Sequence, residues 1–154
     1  MIRNLSLRDT LGERDRIPRP LVVKALDHLQ GEATDRHYHR RAQLVYAVDG
    51  VIAVDTDHGL WVVPPQRAVW VPPETPHQVR AVSAKAVMHN LYLEPAAVRD
   101  LPGECCVVTV SPLLRELIRA AARLPAQYDE DGPDGRLMTV ILDQMRTLPV
   151  APLH

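Results

Sequence analysis

The sequence predicts a mainly β fold, a small barrel or double sheet of about eight strands, followed by two amphipathic helices. Three observations carry this reading. Short apolar runs recur at intervals of about 8–12 residues from Leu21 to Val110, the spacing of an all-β sandwich or barrel. Turn residues punctuate them: the chain has fourteen prolines, with pairs at Pro64-Pro65 and Pro72-Pro73, which suit short strands joined by stiff turns. After Val110 the apolar period changes to three and four, the repeat of a helix face. At 154 residues, 46% of them hydrophobic, the chain is one domain with a sizeable core.

Residues 1–18 are charged and weakly patterned, and Pro18 and Pro20 close them; they read as a flexible N-terminal arm. The barrel occupies residues 19–110. Its candidate strands are 21–28, 42–48, 51–55, 60–63, 68–71, 77–82, 86–93 and 105–110. Turn signals separate them at Asp49-Gly50, His58-Gly59, the proline pairs and Leu101-Pro102-Gly103. Ser111-Pro112 then starts a helix, a capping hydroxyl before a proline at the first helical position. Leu113, Leu114, Leu117, Ile118, Ala121 and Leu124 form its stripe, and Pro125 ends it. Residues 127–135, acidic and glycine-containing, read as a loop. A second helix is expected over 136–148, with Leu137, Val140, Ile141, Met145 and Leu148 on one side. Two apolar stripes exceed what one sheet edge usually needs, so residues 111–148 are expected to pair two copies into a homodimer as well as cover the barrel.

Bulk properties exclude several classes of function. Net charge is -1, with Lys and Arg spread along the chain, so the electrostatic footprint of a nucleic-acid binder is missing. No apolar run is long enough to span a bilayer, so no membrane partner is expected. Cys105 and Cys106 are adjacent, a poor geometry for a disulfide, and read as a buried reduced pair suited to the cytoplasm. There is no Gly-rich phosphate loop and no Cys-x2-Cys pattern.

The chemistry concentrates in "GEATDRHYHRRAQLVYAVDG", residues 31–50. Along an unbroken strand His37, His39 and Gln43 share a face, and two imidazoles at i and i+2 can converge on one cation. A further ligand has to come from elsewhere. His77 in "VPPETPHQV" opens a strand after a proline-stiffened turn, which fixes its ring on a neighbouring ladder.

The interval set resembles the first motif of the cupin superfamily, Gly-x5-His-x-His-x3-Glu-x6-Gly, read here as Gly31, His37, His39, Gln43 and Gly50. The second cupin motif, Pro-x-Gly-x2-His, is matched by Pro72 and His77, with Glu74 in place of the glycine. The asparagine four residues past that histidine is replaced by Ala81. This likeness covers about residues 20–95 and implies a cupin-like jelly-roll barrel. A narrower likeness runs through "HYHRRAQLVYAVDGV", "GLWVVPPQRAVWVPPETPHQV", "LYLEP" and "VSPLLRELI". These segments resemble the N-terminal sensory half of AraC/XylS-type transcriptional regulators, where glutamine is common in place of the cupin glutamate. The resemblance implies a small-molecule effector in the barrel and dimerisation through the trailing helices. It also implies DNA contact only through a helix-turn-helix domain beyond this chain, for which residues 149–154 would be the linker.

Gln43 separates the two main functional readings. A glutamate can act as general base, whereas a carboxamide offers a neutral oxygen and takes up no proton near neutral pH. His37, His39, His77 and Gln43 would leave a divalent transition metal its full charge, which favours an anionic effector at the open position. Zinc or nickel is preferred slightly over iron or copper, since imidazole suits all four. The primary expectation is therefore a metal-binding sensor. A stand-alone metal-dependent cupin enzyme of dioxygenase or isomerase type is the alternative, and a metal-free binding module is a third. Tyr46, Trp61, Trp70 and Tyr92 lie in central strands and are the candidate walls of an effector pocket. His89 lies on a strand but outside the metal set.

Overall fold

Among the residues that the computed structural model describes, 15–148 and the strand backbone of Asn4–Leu5, ten strands build two sheets of five. The strands are β1 (Asn4–Leu5), β2 (Leu21–Leu29), β3 (Ala33–Thr34), β4 (Ala42–Asp49), β5 (Ile52–Thr56), β6 (Gly59–Val63), β7 (Arg67–Val71), β8 (His77–Ala81), β9 (Lys85–Leu93) and β10 (Cys106–Thr109). The first sheet runs β1-β3-β8-β5-β6 and the second β10-β7-β4-β9-β2. Every pairing is antiparallel except that of β1 with β3. The two sheets face each other as the predicted double-layered barrel.

Two cores share the second sheet. Between the sheets lie Val45, Ala47, Ile52, Val54, Val63, Val69, Val71, Val79 and Met88. On the sheet's other face Leu44, Tyr46, Trp70, Leu91 and Leu93 pack against two helices, α1 (Pro112–Ala121) and α2 (Pro133–Met145). Strands buried on both sides need no polar alternation, which is why β4 reads as the nearly continuous run "AQLVYAVD". The first sheet, by contrast, presents Leu60 and Val62 to solvent on β6.

Helix α1 begins as its sequence requires: the Ser111 hydroxyl accepts from the Leu114 N–H at 3.1 Å, and Pro112 opens the first turn. Helix α2 starts at Pro133, three residues before the expected 136, and so absorbs the end of the expected loop. The device repeats that of α1, with Gly132 as cap and proline next. Gly135 falls inside this first turn because a Cβ there would stand 2.0 Å from the Glu130 carbonyl oxygen. Leu148, expected on the helix, lies beyond its end but still packs on the core.

Four further differences bear on function. A short strand, β3, was not legible in the sequence. The stretch carrying His37 and His39 is not a continuation of β4: residues 35–41 form a bent segment, joined to the backbone of the first sheet where His37 bridges His77 and to its β5–β6 hairpin by the side chain of Arg36, which pairs with Asp55 and Asp57. Cys105 and Cys106 are half-buried free thiols, and burial pushes Cys105 up to about 11. Of the expected arm, residues 15–18 pack against the barrel: Asp15 accepts from the backbone N–H groups of Arg40 and Arg41. The rest of the arm, apart from the Asn4–Leu5 backbone, and the expected linker 149–154 lie outside the described residues. No helix among the described residues is long and apolar enough to cross a membrane.

Gly50 turns the chain from β4 into β5 with a φ of +78°, and a Cβ there would lie 2.1 Å from the Lys85 carbonyl oxygen and 2.7 Å from the Ser83 hydroxyl. Gly50→Ala should combine left-handed strain with a backbone clash. The expected loss is about 3 kcal/mol, read as a lower urea midpoint with an unchanged slope.

Candidate metal centre

Three imidazoles gather at one end of the space between the sheets, each delivered by a different local device. His37 and His77 exchange both backbone hydrogen bonds, His37 N–H to the His77 carbonyl at 3.0 Å and the reverse at 2.8 Å. This pair sets their rings side by side, with centroids 4.5 Å apart. The chain then leaves the first sheet and crosses to the second. His39 lies on the crossing, its centroid 5.6 Å from that of His37 and 5.1 Å from that of His77. Gln43 follows on β4 and points inward from the second sheet. The candidate ligand atoms of the three histidines all lie within 4.8 Å of one another.

Hydrogen bonding fixes the tautomers. His37 Nδ1 donates to the Asp35 carbonyl at 2.5 Å, His39 Nδ1 to Arg41 at 2.6 Å, and His77 Nδ1 to Thr75 at 2.7 Å. A carbonyl can only accept, so in each neutral ring the proton sits on Nδ1 and Nε2 offers a lone pair. Gln43 Oε1 lies 3.0 Å from Nε2 of both His39 and His77. These atoms are all acceptors, and acceptors at that distance repel. Two arrangements remove the conflict. A cation among them converts each lone pair into a ligand, and about 3 Å is the separation of neighbouring donors around an ion held at 2.0–2.1 Å. Alternatively the Gln43 amide reverses and its NH2 donates to both rings, which requires Asn90 to reverse as well. Asn90 Oδ1 accepts from Gln43 Nε2 at 2.8 Å and orients the amide.

The cluster is largely dry. His39, Gln43, His77 and Asn90 are all less than 10% exposed, while His37 is half-buried and closes the outer side. Burial pushes the His77 pKa down to about 3, and the neighbouring His37 and His39 add to the shift. His77 is therefore neutral at physiological pH, as a metal ligand must be. The three histidines can thus form a metal site.

Sequence reasoning placed the imidazoles and Gln43 together for the wrong local reason, since a bend and a sheet crossing do what an unbroken strand was expected to do. Of the four aromatic candidates, only Tyr92 meets the cluster, edge-on to His39 with centroids 5.8 Å apart. Trp61 packs on the inter-sheet core from edge strand β6. Tyr46 and Trp70 lie on the opposite face of the second sheet, under the helices, and line no part of the histidine cluster. The indole of Trp70 is occupied there, donating to the Pro102 carbonyl at 2.7 Å.

Two supporting residues escaped the sequence reading. Asn90 was visible only as one polar residue in the strand "VMHNLYL". Arg41, fully buried, lies between His39 and Gln43 and ties the crossing down. Its guanidinium donates to the carbonyls of Tyr92, Ile17 and Arg19 and pairs with Glu94 at 3.0 Å. Arg40 also pairs with Glu94. Burial works against the Arg41 charge, and the Glu94 carboxylate beside it works in its favour.

A family model for the AraC-like ligand-binding domain matches residues 20–141. The chain belongs to this family. It is 38% identical over 118 residues to the HTH-type transcriptional regulator NimR of Escherichia coli, covering 77% of this chain and 42% of NimR. The chain therefore spans about two fifths of that relative's length. The structure of Vibrio cholerae ToxT with an unsaturated fatty acid bound superposes with a TM-score of 0.59 over 82% of this chain and 55% of ToxT. At 7% identity that likeness is one of fold. An RmlC-like cupin from Shewanella frigidimarina matches 48% of this chain and 66% of its own, with a TM-score of 0.45 and 22% identity.

Two outcomes follow from the site's construction. Arg41→Met removes a buried cation whose partners stay behind, and should cost about 3 kcal/mol in chemical denaturation. For His77, the unfolded chain binds a proton below about pH 6.5 that the folded domain refuses until about 3. Metal-free stability should accordingly fall as pH drops, by about 2 kcal/mol at pH 5 relative to pH 7.5. Burial also lowers the pKa of His28 and His89, so the check is the difference between wild type and His77→Gln, whose slope should be shallower.

Proposed function

We propose that this AraC-type domain is the effector-sensing half of a transcriptional regulator, and that His37, His39, His77 and Gln43 hold a divalent transition metal within it. The observation that carries the metal reading is the shared orientation of the rings. All three Nδ1 atoms are committed to backbone carbonyls, and the Gln43 oxygen stands 3.0 Å from two of the remaining Nε2 lone pairs. Four neutral donors leave the ion its charge, so an anionic effector is favoured at an open position. Zinc or nickel is preferred to iron or copper. The absence of a carboxylate at position 43 weighs against turnover, because the amide holds and releases no proton.

Regulation is proposed on the strength of the 38% identity to NimR, a protein named for a helix-turn-helix. In this reading DNA contact belongs to a unit of that kind, and the barrel reports effector occupancy to it. The trailing helices serve as the dimer contact, supported by Leu113 and Val140, which remain 55% and 40% exposed on α1 and α2.

The test is metal stoichiometry. Purified protein is stripped with chelator, reconstituted separately with zinc, nickel, iron and copper, desalted and measured by mass spectrometry. About one ion per chain is expected, with a raised melting temperature, and both should disappear in His39→Ala. Stoichiometry below about one tenth for all four candidate metals would overturn the metal reading. The amide of Gln43 would then be the donor to both imidazoles, in a metal-free pocket.

A further inference from the structure

A second concave site lies on the other side of the second sheet. Between the sheet's outer face and α1 is a cavity of about 570 Å3, within the range of small-molecule pockets. Its helical wall carries Arg115 and Arg119 four residues apart, and Arg123 follows in the turn just past the helix end. Like charges at that spacing oppose one another along a helix and destabilise it slightly. Glu116 is the one carboxylate in the lining and pairs with Arg115 at 3.4 Å. Arg119 and Arg123 make no ion pair among the described residues. The wall therefore keeps an excess of positive charge at the open rim of the cleft.

The opposite wall supplies two neutral polar groups. Tyr46 is 1% exposed, its ring locked in the helix-side core, yet it lines the cavity and its hydroxyl has no hydrogen-bond partner among the described residues. Burial raises its pKa, which keeps it a neutral donor. On the adjacent strand, opposite Tyr46, stands His89, whose buried Nδ1 also lacks a partner. Burial and the Arg119 charge hold His89 below its ordinary pKa. The buried, unmatched imidazole nitrogen is costly unless something completes it, and the Tyr46 hydroxyl, at the cavity wall, is free to donate to whatever enters. Ala25, Val48 and Ala122 make the rest of the lining apolar.

We propose that this cavity binds a small organic carboxylate, with Arg119, flanked by Arg115 and Arg123, holding the anion, Tyr46 and His89 completing its hydrogen bonds, and the apolar lining receiving the carbon skeleton. The apolar lining favours a carboxylate on a carbon frame over a bare inorganic anion. The depth of the phenol favours a small molecule over an acidic protein surface, which could reach only the arginines. The site is independent of the metal reading, because Tyr46 and Gln43 project from opposite faces of β4.

Benzoate tests it. The chelator-treated chain is titrated by calorimetry at low ionic strength with benzoate, with neutral benzyl alcohol and with inorganic phosphate. One saturable benzoate site is expected, with benzyl alcohol and phosphate each at least about tenfold weaker. Arg119→Gln should weaken benzoate about tenfold and Tyr46→Phe about fivefold. By NMR the His89 imidazole should titrate at higher pH with benzoate bound, since the anion offsets the Arg119 charge. Arg119 is exposed, and unchanged circular dichroism would certify that its variant is folded. The proposal is overturned by a lack of saturable benzoate binding, by equal affinity for benzyl alcohol or phosphate, or by a folded Arg119→Gln that binds as wild type. Binding of polyglutamate with no response to benzoate would overturn it too, and assign the cleft to a protein partner.

Discussion

The reciprocal backbone pair between His37 and His77 is the constraint on which the histidine cluster depends. It is an isolated bridge, outside any extended ladder, and it pins a bent segment to the start of β8. Once His37 is fixed there, four residues remain before the chain must enter β4 in the opposite sheet. That short span carries His39 across the inter-sheet space and brings Gln43 down on the far side. The buried guanidinium of Arg41 secures the crossing, tying it to the backbone before β2 and at the end of β9. Ligand geometry at this site is a by-product of how the chain changes sheets.

The cluster also shows how local hydrogen bonding prepares a site without any charge. Three main-chain carbonyls choose the tautomers, and burial keeps His77 from taking up a proton. Asn90 orients the Gln43 amide from β9. Carboxylates are confined to the periphery, where Glu94 is engaged by Arg40 and Arg41. The polar atoms at the centre are acceptors facing acceptors, an arrangement that a protein interior does not tolerate without a donor or a cation to reconcile them.

Much of this was legible in the sequence, and the gaps have physical causes. Glycine and proline turns delimited the eight longer strands to within about two residues, because each turn needs a residue with the right backbone freedom. Ser111-Pro112 announced α1, while Gly132-Pro133 was passed over because glycine is a weaker cap signal than serine. The spacing of His37, His39 and Gln43 pointed to convergence, but intervals alone do not reveal that residues 35–41 bend. Tyr46 and Trp70 could not be assigned a side, since strands buried on both faces lack the alternation that reports one. Asn90 and Arg41 act through contacts 47 and 51 positions away in sequence, beyond any local pattern.

The placement of β4 limits how the domain can move. It is the middle strand of its sheet, hydrogen-bonded on both flanks, with the Gln43 amide and Val45 on one surface and Leu44 and the Tyr46 phenol on the other. Sliding it by a single residue would bury the amide among helix-side hydrocarbons and turn the phenol inward, so register slippage is closed to it. Any mechanical communication between the two layers must then travel as tilt of the sheet as a unit, or as sliding of α1 over it, with the strand behaving as a stiff spar between them.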